Sequence, residues 1–254
     1  MACSPKHGLI SFAAESLFDA DNTMKNSSIK LAVAALAVSL QLASAADLTG
    51  RVMLKGTPPP AQPIQMDATC GGMHTGPVMT RLYLVGKDNG LENTFVYVKA
   101  GAKAPANPPA EMPLIDQVGC IYEPYVSGVM VNQKFKIRNS DALLHNVHAT
   151  PKINKEFNTA QPSKGQVSEK VFTEAEILVR MKCDVHPWMF AYIGVVDNPY
   201  YAVTDKDGNF KISNLPPGKY TIEAFHLKAG SSTQEITIDG DKKADFTLEV
   251  PKPQ

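Results

Sequence analysis

The residues best equipped for chemistry lie in one short stretch, Cys183-Asp184-Val185-His186-Pro187-Trp188-Met189, which offers a thiolate, an imidazole and a thioether within seven residues. A second pair of imidazoles stands about forty residues upstream, in His145-Asn146-Val147-His148. Two histidines and a cysteine in a trigonal set, with a methionine as weak axial ligand, describe a copper site for electron transfer. Taking one ligand from an early strand end and three from a single tight loop lets a chain fix a geometry between the preferences of Cu(I) and Cu(II). Zinc accepts cysteine and histidine but seldom recruits methionine. A c-type haem needs C-x-x-C-H, which is absent. Taken singly, a methionine or histidine is a packing residue and a free cysteine a small hydrophobe; here they occur together. With four coordination positions filled and no accompanying acid/base pair, the chain is not expected to be an enzyme.

The cysteine count bears on this reading. From Met24, Lys25 and Lys30 give a positive region, Ile29 to Leu42 a mostly apolar one, and Ala43-Ser44-Ala45 an A-x-A cleavage site. Residues 24–45 therefore read as a signal peptide and residues 1–23 as an upstream extension, with the mature chain starting near Ala46. The apolar run is short for a membrane span, so no stable membrane insertion is expected after cleavage, and the location is periplasmic or otherwise exported. Cys3 is lost with the leader. Cys70, Cys120 and Cys183 then face an oxidising compartment, where an odd number leaves one free, intermolecular or metal-bound.

Elements that could position these residues are short strands. Nineteen prolines and seventeen glycines punctuate runs rich in Val, Ile, Tyr and Phe, and 25 basic residues balance 25 acidic ones, so no field draws the chain to nucleic acid. Leu48 to Leu54, Thr80 to Val85 and Thr94 to Lys99 read as strands, followed by a Pro/Ala-rich connector over 103–113. Gly119 to Pro124, Val126 to Val131, Lys134 to Arg138 and Asn146 to Ala149 continue the pattern; Asn154 to Gln166 reads as a polar loop. Val171 to Glu174, Ile177 to Cys183 and Phe190 to Val196 return to strand character. After Tyr201, Asp207-Gly208, Pro217-Gly218 and Asp239-Gly240 mark turns between alternating strands.

From Tyr122 through Val196 the sequence resembles the cupredoxin family, amicyanin-like and plastocyanin-like members above all. The resemblance rests on Tyr122-Glu123-Pro124, Val131-Asn132-Gln133 before Phe135-Lys136-Ile137, Asn139, the HNVH run at 145–148, and the compact C-x-x-H-P-aromatic-M loop. It implies one type 1 copper ion held by His145, Cys183, His186 and Met189. It gives Asn146 the role of tying the two ligand loops together. His148, three residues from His145 on a strand, should face the other way. Val185 stands where the family often has proline, and Asp184 replaces a small hydroxyl residue; a carboxylate there should lower the potential unless it points to solvent. Pro187 and Trp188 would form an apolar electron-transfer patch. The partner implied is a c-type cytochrome or a periplasmic dehydrogenase; the alternative is a copper-delivery factor whose second domain docks to a client.

The C-terminal region resembles the carboxypeptidase regulatory-like domain, a transthyretin-like β-sandwich, through T-D-x-D-G-x-F and L-P-P-G-x-Y. The expected fold is all-β: a cupredoxin Greek-key sandwich over 112–198 and a second small sandwich over 199–254. The G-x-V strand that usually opens such a domain is found instead at Gly50-Arg51-Val52, so residues 46–105 are expected to belong to the outer sandwich, with the cupredoxin inserted into it. A serial arrangement is the alternative. With Cys183 assigned to copper, Cys70 and Cys120 form the disulfide pair, tying the irregular 67–77 loop to the first cupredoxin strand. A second metal site from Cys70 and His74 would lack a third ligand. His226 is expected at a surface or interface.

Overall fold

The computed structural model describes residues 44–105 and 107–252. The upstream extension and all of the signal reading before Ser44 lie outside the described residues. Strands β1 (Ala46–Lys55) and β2 (Phe95–Ala100) come first, separated by a long loop with a one-turn helix, α1 (Ala68–Gly71). There follow β3 (Leu114–Val118), β4 (Ile121–Glu123), β5 (Val126–Met130), β6 (Lys134–Asn139), β7 (His145–Thr150), β8 (Phe157–Gln161), β9 (Val167–Val171), β10 (Glu176–Lys182) and β11 (Phe190–Val196). The chain ends with β12 (Tyr201–Val203), β13 (Asn209–Leu215), β14 (Gly218–His226), β15 (Gly230–Ile238), β16 (Lys242–Lys243) and β17 (Phe246–Glu249).

These strands make two β-sandwiches. In the inner one, a sheet ordered β5-β11-β10-β7-β8 packs on one ordered β4-β3-β6-β9. Tyr122, Phe135, Ile137, Val147, Met181 and Ile193 fill the space between them. In the outer one, β1 pairs with β13, β16 and β17, and faces a sheet ordered β12-β2-β14-β15. Strand β1 earns its place by alternation, burying Ala46, Leu48, Gly50, Val52 and Leu54. Gly50 lies opposite Phe210 and Val52 opposite Phe246, while Tyr97 of β2 lies opposite Tyr201 and Glu223. Both outer sheets thus combine strands from before and after the inner sandwich.

The joint between the sandwiches explains two runs that do not alternate. Phe95, Val96, Tyr97 and Val98 are all buried because β2 serves two cores. Val96 and Val98 point into the outer sandwich, whereas Phe95 and Tyr97 meet Tyr125, Val126, Tyr192 and Val196 of the inner one. Strand β11 is covered on both faces in the same way. Gly194 makes this contact close: a Cβ there would fall 2.4 Å from the Phe95 ring. The Tyr201 hydroxyl donates to the Gly128 carbonyl at 3.0 Å across the same joint.

Four expectations are corrected. Thr80 to Val85 forms no strand, since its backbone meets single residues of neighbouring loops, through Thr80 to Gln62 and Leu84 to Glu92, instead of a sheet edge. The polar 154–166 stretch contains strand β8, because its buried Gln161 is bonded to Gln117, the Ile137 carbonyl and Ser168 in place of apolar packing. The strand placed at Val171 to Glu174 lies earlier, at β9; Asn154 turns the chain beyond it by accepting from the amides of Thr173 and Glu174. His226 is buried, not at a surface. It closes the β14–β15 hairpin by accepting from the amides of Lys228 and Ala229, and its ring stacks on Tyr83. Among the described residues no helix is long and apolar enough to cross a membrane.

Candidate metal centre

Strand β7 begins at His145 and runs antiparallel to β10, with His148 opposite Lys182. The pairing brings the residue after β10, Cys183, beside the start of β7. Residues 183–189 then turn back into β11 through two short-range bonds, Cys183 N–H to the Met189 carbonyl at 3.0 Å and Met189 N–H to the His186 carbonyl at 2.9 Å. The result is a convergent donor set. His145 Nδ1 lies 3.0 Å from His186 Nδ1, and Cys183 Sγ lies 3.6 Å from the latter and 4.0 Å from the former. Relative exposures of 0% for His145, 2% for Cys183, 6% for His186 and 1% for Met189 mean that water is excluded.

Each imidazole is held in a defined orientation. His145 Nε2 donates to Asp141 at 2.9 Å, which leaves Nδ1 turned toward the thiol. The same carboxylate accepts from the amides of Gly119 and Cys120 at 2.7 and 2.9 Å. Those two residues are the β3–β4 hairpin loop, and both have positive φ, as a two-residue primed turn requires. Asp141 was not singled out from the sequence; a carboxylate four residues before His145 is the signal that could have found it. The His186 ring packs against Trp188 with centroids 5.3 Å apart. Trp188 Nε1 donates to the Cys120 carbonyl at 3.1 Å, while Pro187 is exposed.

Asn146 joins the two loops. Its Oδ1 accepts from the Asp184 amide at 2.7 Å and from the Cys183 thiol at 3.3 Å, and its Nδ2 donates to Asn158 and to the Asp184 carboxylate. Asp184 itself points away from the thiol. It pairs with Lys182 at 2.7 Å and His148 at 2.8 Å, so its charge is matched locally. His148 stands outside the cluster, between Asp184 and Glu156.

Charge follows from these contacts. Burial works against ionising the Cys183 thiol, but its bonds to His145 and Asn146 hold it below its usual range. Burial likewise opposes protonation of His145, yet Cys183 and Asp141 raise it above an ordinary imidazole. His186 is lowered, by burial and then by His145. Lys182 holds Asp184 well below the usual carboxylate range, and Glu156 raises His148. A low-lying thiol beside imidazoles is what a soft-metal site needs, since ligands bind as thiolate and neutral ring.

Cys183 is free, and Cys70 and Cys120 are joined as a disulfide. Cys70 sits on α1, where Asp67 caps the helix by accepting from the amides of Thr69 and Cys70. Cys120 lies in the β3–β4 turn, not on a strand. His74 Nε2 bonds the Gly119 carbonyl at 2.7 Å, bracing that turn, and takes no part in the cluster.

The model of the carboxypeptidase regulatory-like domain matches residues 187–250; β1 and β2, which complete the outer sandwich, lie outside that stretch. No curated protein matches the chain. Among solved structures, it is similar to a purple cupredoxin from Nitrosopumilus maritimus at 22% identity, over 33% of this chain and 98% of that one, with a TM-score of 0.29. It is also similar to a Cu(I) form of an amicyanin mutant at 24% identity, over 39% and 97%, with a TM-score of 0.30. A reduced amicyanin mutant gives 25% identity over the same shares, with a TM-score of 0.30. The chain is thus similar to cupredoxins over a third or more of its length, and to the carboxypeptidase regulatory-like domain over residues 187–250.

Proposed function

We propose that this chain is an exported type 1 copper protein that passes single electrons between redox partners, with His145, Cys183, His186 and Met189 as the ligands. The observation that carries the reading is the buried convergence of His145, Cys183 and His186, whose donor atoms all lie within 4.8 Å of one another. A thiolate, two imidazoles and a thioether from the same loop fit copper better than zinc or a hard cation. Copper bound there supplies one-electron exchange. The chain's own residues hold the ligands still: Asp141 orients His145, and Asn146 fastens β7 to the Cys183 loop. Little then has to move when the charge of the centre changes.

Burial of the ligands supports a carrier over a delivery factor, because delivery needs metal that exchanges. A docking area is available next to the loop. An apolar cleft of about 380 Å³, lined by Ile64, Leu82, Tyr125, Pro187, Trp188 and Phe190, opens beside the proposed centre. It suits a redox protein such as a c-type cytochrome or a periplasmic dehydrogenase. Visible absorption and spin resonance of the copper-loaded, oxidised protein test the reading. Intense sulfur-to-copper charge transfer is expected; a colourless Cu(II) form would overturn it.

A further inference from the structure

The disulfide sits against the proposed metal centre. Cys70 and Cys120 are both fully buried, and their sulfurs lie within 4.8 Å of each other and of a ring nitrogen of His186. Two donor sets therefore meet at one imidazole: His145, Cys183 and His186 on one side, Cys70, Cys120 and His186 on the other. In the disulfide, the second set has no thiolate to offer a metal.

Both cysteines are anchored by bonds that do not depend on the sulfur bridge. Asp67 Oδ1 holds the Cys70 amide at 2.9 Å. The Asp141 carboxylate holds the Cys120 amide at 2.9 Å, and Trp188 holds the Cys120 carbonyl. His74 fixes the neighbouring Gly119 carbonyl. Breaking the sulfur–sulfur bond would leave two thiols on anchored backbone beside His186.

We infer that reduction of the Cys70–Cys120 disulfide opens a second, soft-metal site in which the two thiolates and His186 hold Cu(I). The reductant is a dithiol, which gives two electrons and two protons to the bridge and becomes a disulfide itself. Binding of Cu(I) then displaces the two thiol protons. Two thiolates and an imidazole form the kind of soft, three-coordinate set that favours a monovalent copper ion over a hard cation. The site shares His186 with the proposed electron-carrier centre and takes its two thiolates from the bridge.

The experiment uses the full chain with Cys183→Ala, which removes the first site's thiolate. The protein is compared oxidised and dithiol-reduced under anaerobic conditions, in a Cu(I) titration against a competing chelator. The reduced form should retain one equivalent that the oxidised form does not, and adding Cys70→Ser or His186→Ala should weaken retention by roughly tenfold or more. Circular dichroism checks the fold of each form, and Cys183→Ser repeats the comparison if the alanine variant does not fold. Equal retention by oxidised and reduced protein, or retention unaffected by Cys70→Ser, would overturn the inference. Neither result would bear on the colour test of the first site.

Discussion

The side-chain oxygen of Asn146 accepts from the backbone amide of Asp184 at 2.7 Å, which makes the strand that carries His145 and the loop that carries Cys183 one mechanical unit. The same oxygen receives the Cys183 thiol at 3.3 Å. Asn146→Ala leaves both donors without a partner in a largely buried place. It should cost about 1–3 kcal/mol in chemical denaturation and speed loss of copper to a chelator. Unchanged stability together with unchanged metal loss would show that the loops are held by something else.

Three of the proposed ligands, and one histidine outside the set, make distinct predictions. Cys183→Ser should abolish the charge-transfer band, because a harder oxygen cannot supply the same covalency. Met189→Gln should keep copper and lower the potential, since an amide oxygen stabilises Cu(II) better than a thioether. His145→Ala should open a coordination position to water. His148→Ala should leave the spectrum nearly unchanged, as His148 faces Asp184 and Glu156. Loss of the band on changing His148 but not His145 would move the site.

Asp141 accepts three N–H groups, from His145, Gly119 and Cys120. Asp141→Asn substitutes an amide whose nitrogen cannot accept, so at least one donor loses its partner. A loss of about 1–3 kcal/mol is expected. The loaded protein should also show a shifted spin-resonance signature as His145 is freed to turn. A stability loss with an unchanged signature would confine Asp141 to the hairpin.

His226 ties stability to pH. Burial lowers its pKa from 6.5 to about 4, so the unfolded chain takes up a proton at higher pH than the folded one. Its contribution is complete above pH 6.5 and is lost as pH falls from there toward 4, by about 3 kcal/mol in all. Denaturation of wild type and His226→Gln across that window provides the check. The variant should lose the part of the slope that belongs to this group, and parallel curves would refute the assignment.

Gly194→Ala places a Cβ 2.4 Å from the Phe95 ring, whose other neighbours leave it little room. A destabilisation of about 1–3 kcal/mol is expected. Phe95→Leu in the same chain should recover part of it, because it removes the atoms that collide. The copper spectrum should not change in either variant. A Gly194→Ala protein as stable as wild type would mean that the joint yields.

What could be read from the sequence was what short-range pattern carries. The alternation of Leu48 to Leu54 announced β1, and one seven-residue loop held Cys183, His186 and Met189. Strand β8 could not be read so, since its buried Gln161 has the composition of a loop and becomes strand-like only when Gln117 and the Ile137 carbonyl are alongside. Asp141 is one carboxylate among 25 acidic residues until folding brings the 119–120 turn to it. Thr80 to Val85 had the pattern of a strand but no sheet edge to join. His226 reads as a surface or interface residue because nothing nearby in sequence records that Tyr83 stacks on it.

Strand β2 lies between β12 and β14, and this has a consequence for the order in which the protein can be built. The first strands of the outer sandwich leave the ribosome with none of their partners yet made. Roughly 100 residues separate Ala100 from Tyr201, and closing so long a connection as loose chain would cost conformational entropy. The inner sandwich removes much of that cost once it folds, because its two ends emerge side by side and carry β2 to β12. The outer sandwich is therefore finished last, by strands that close over those made first. A chain whose inner half fails to fold is left with Phe95 and Val96 in water, and so with an apolar flag by which defective copies can be recognised.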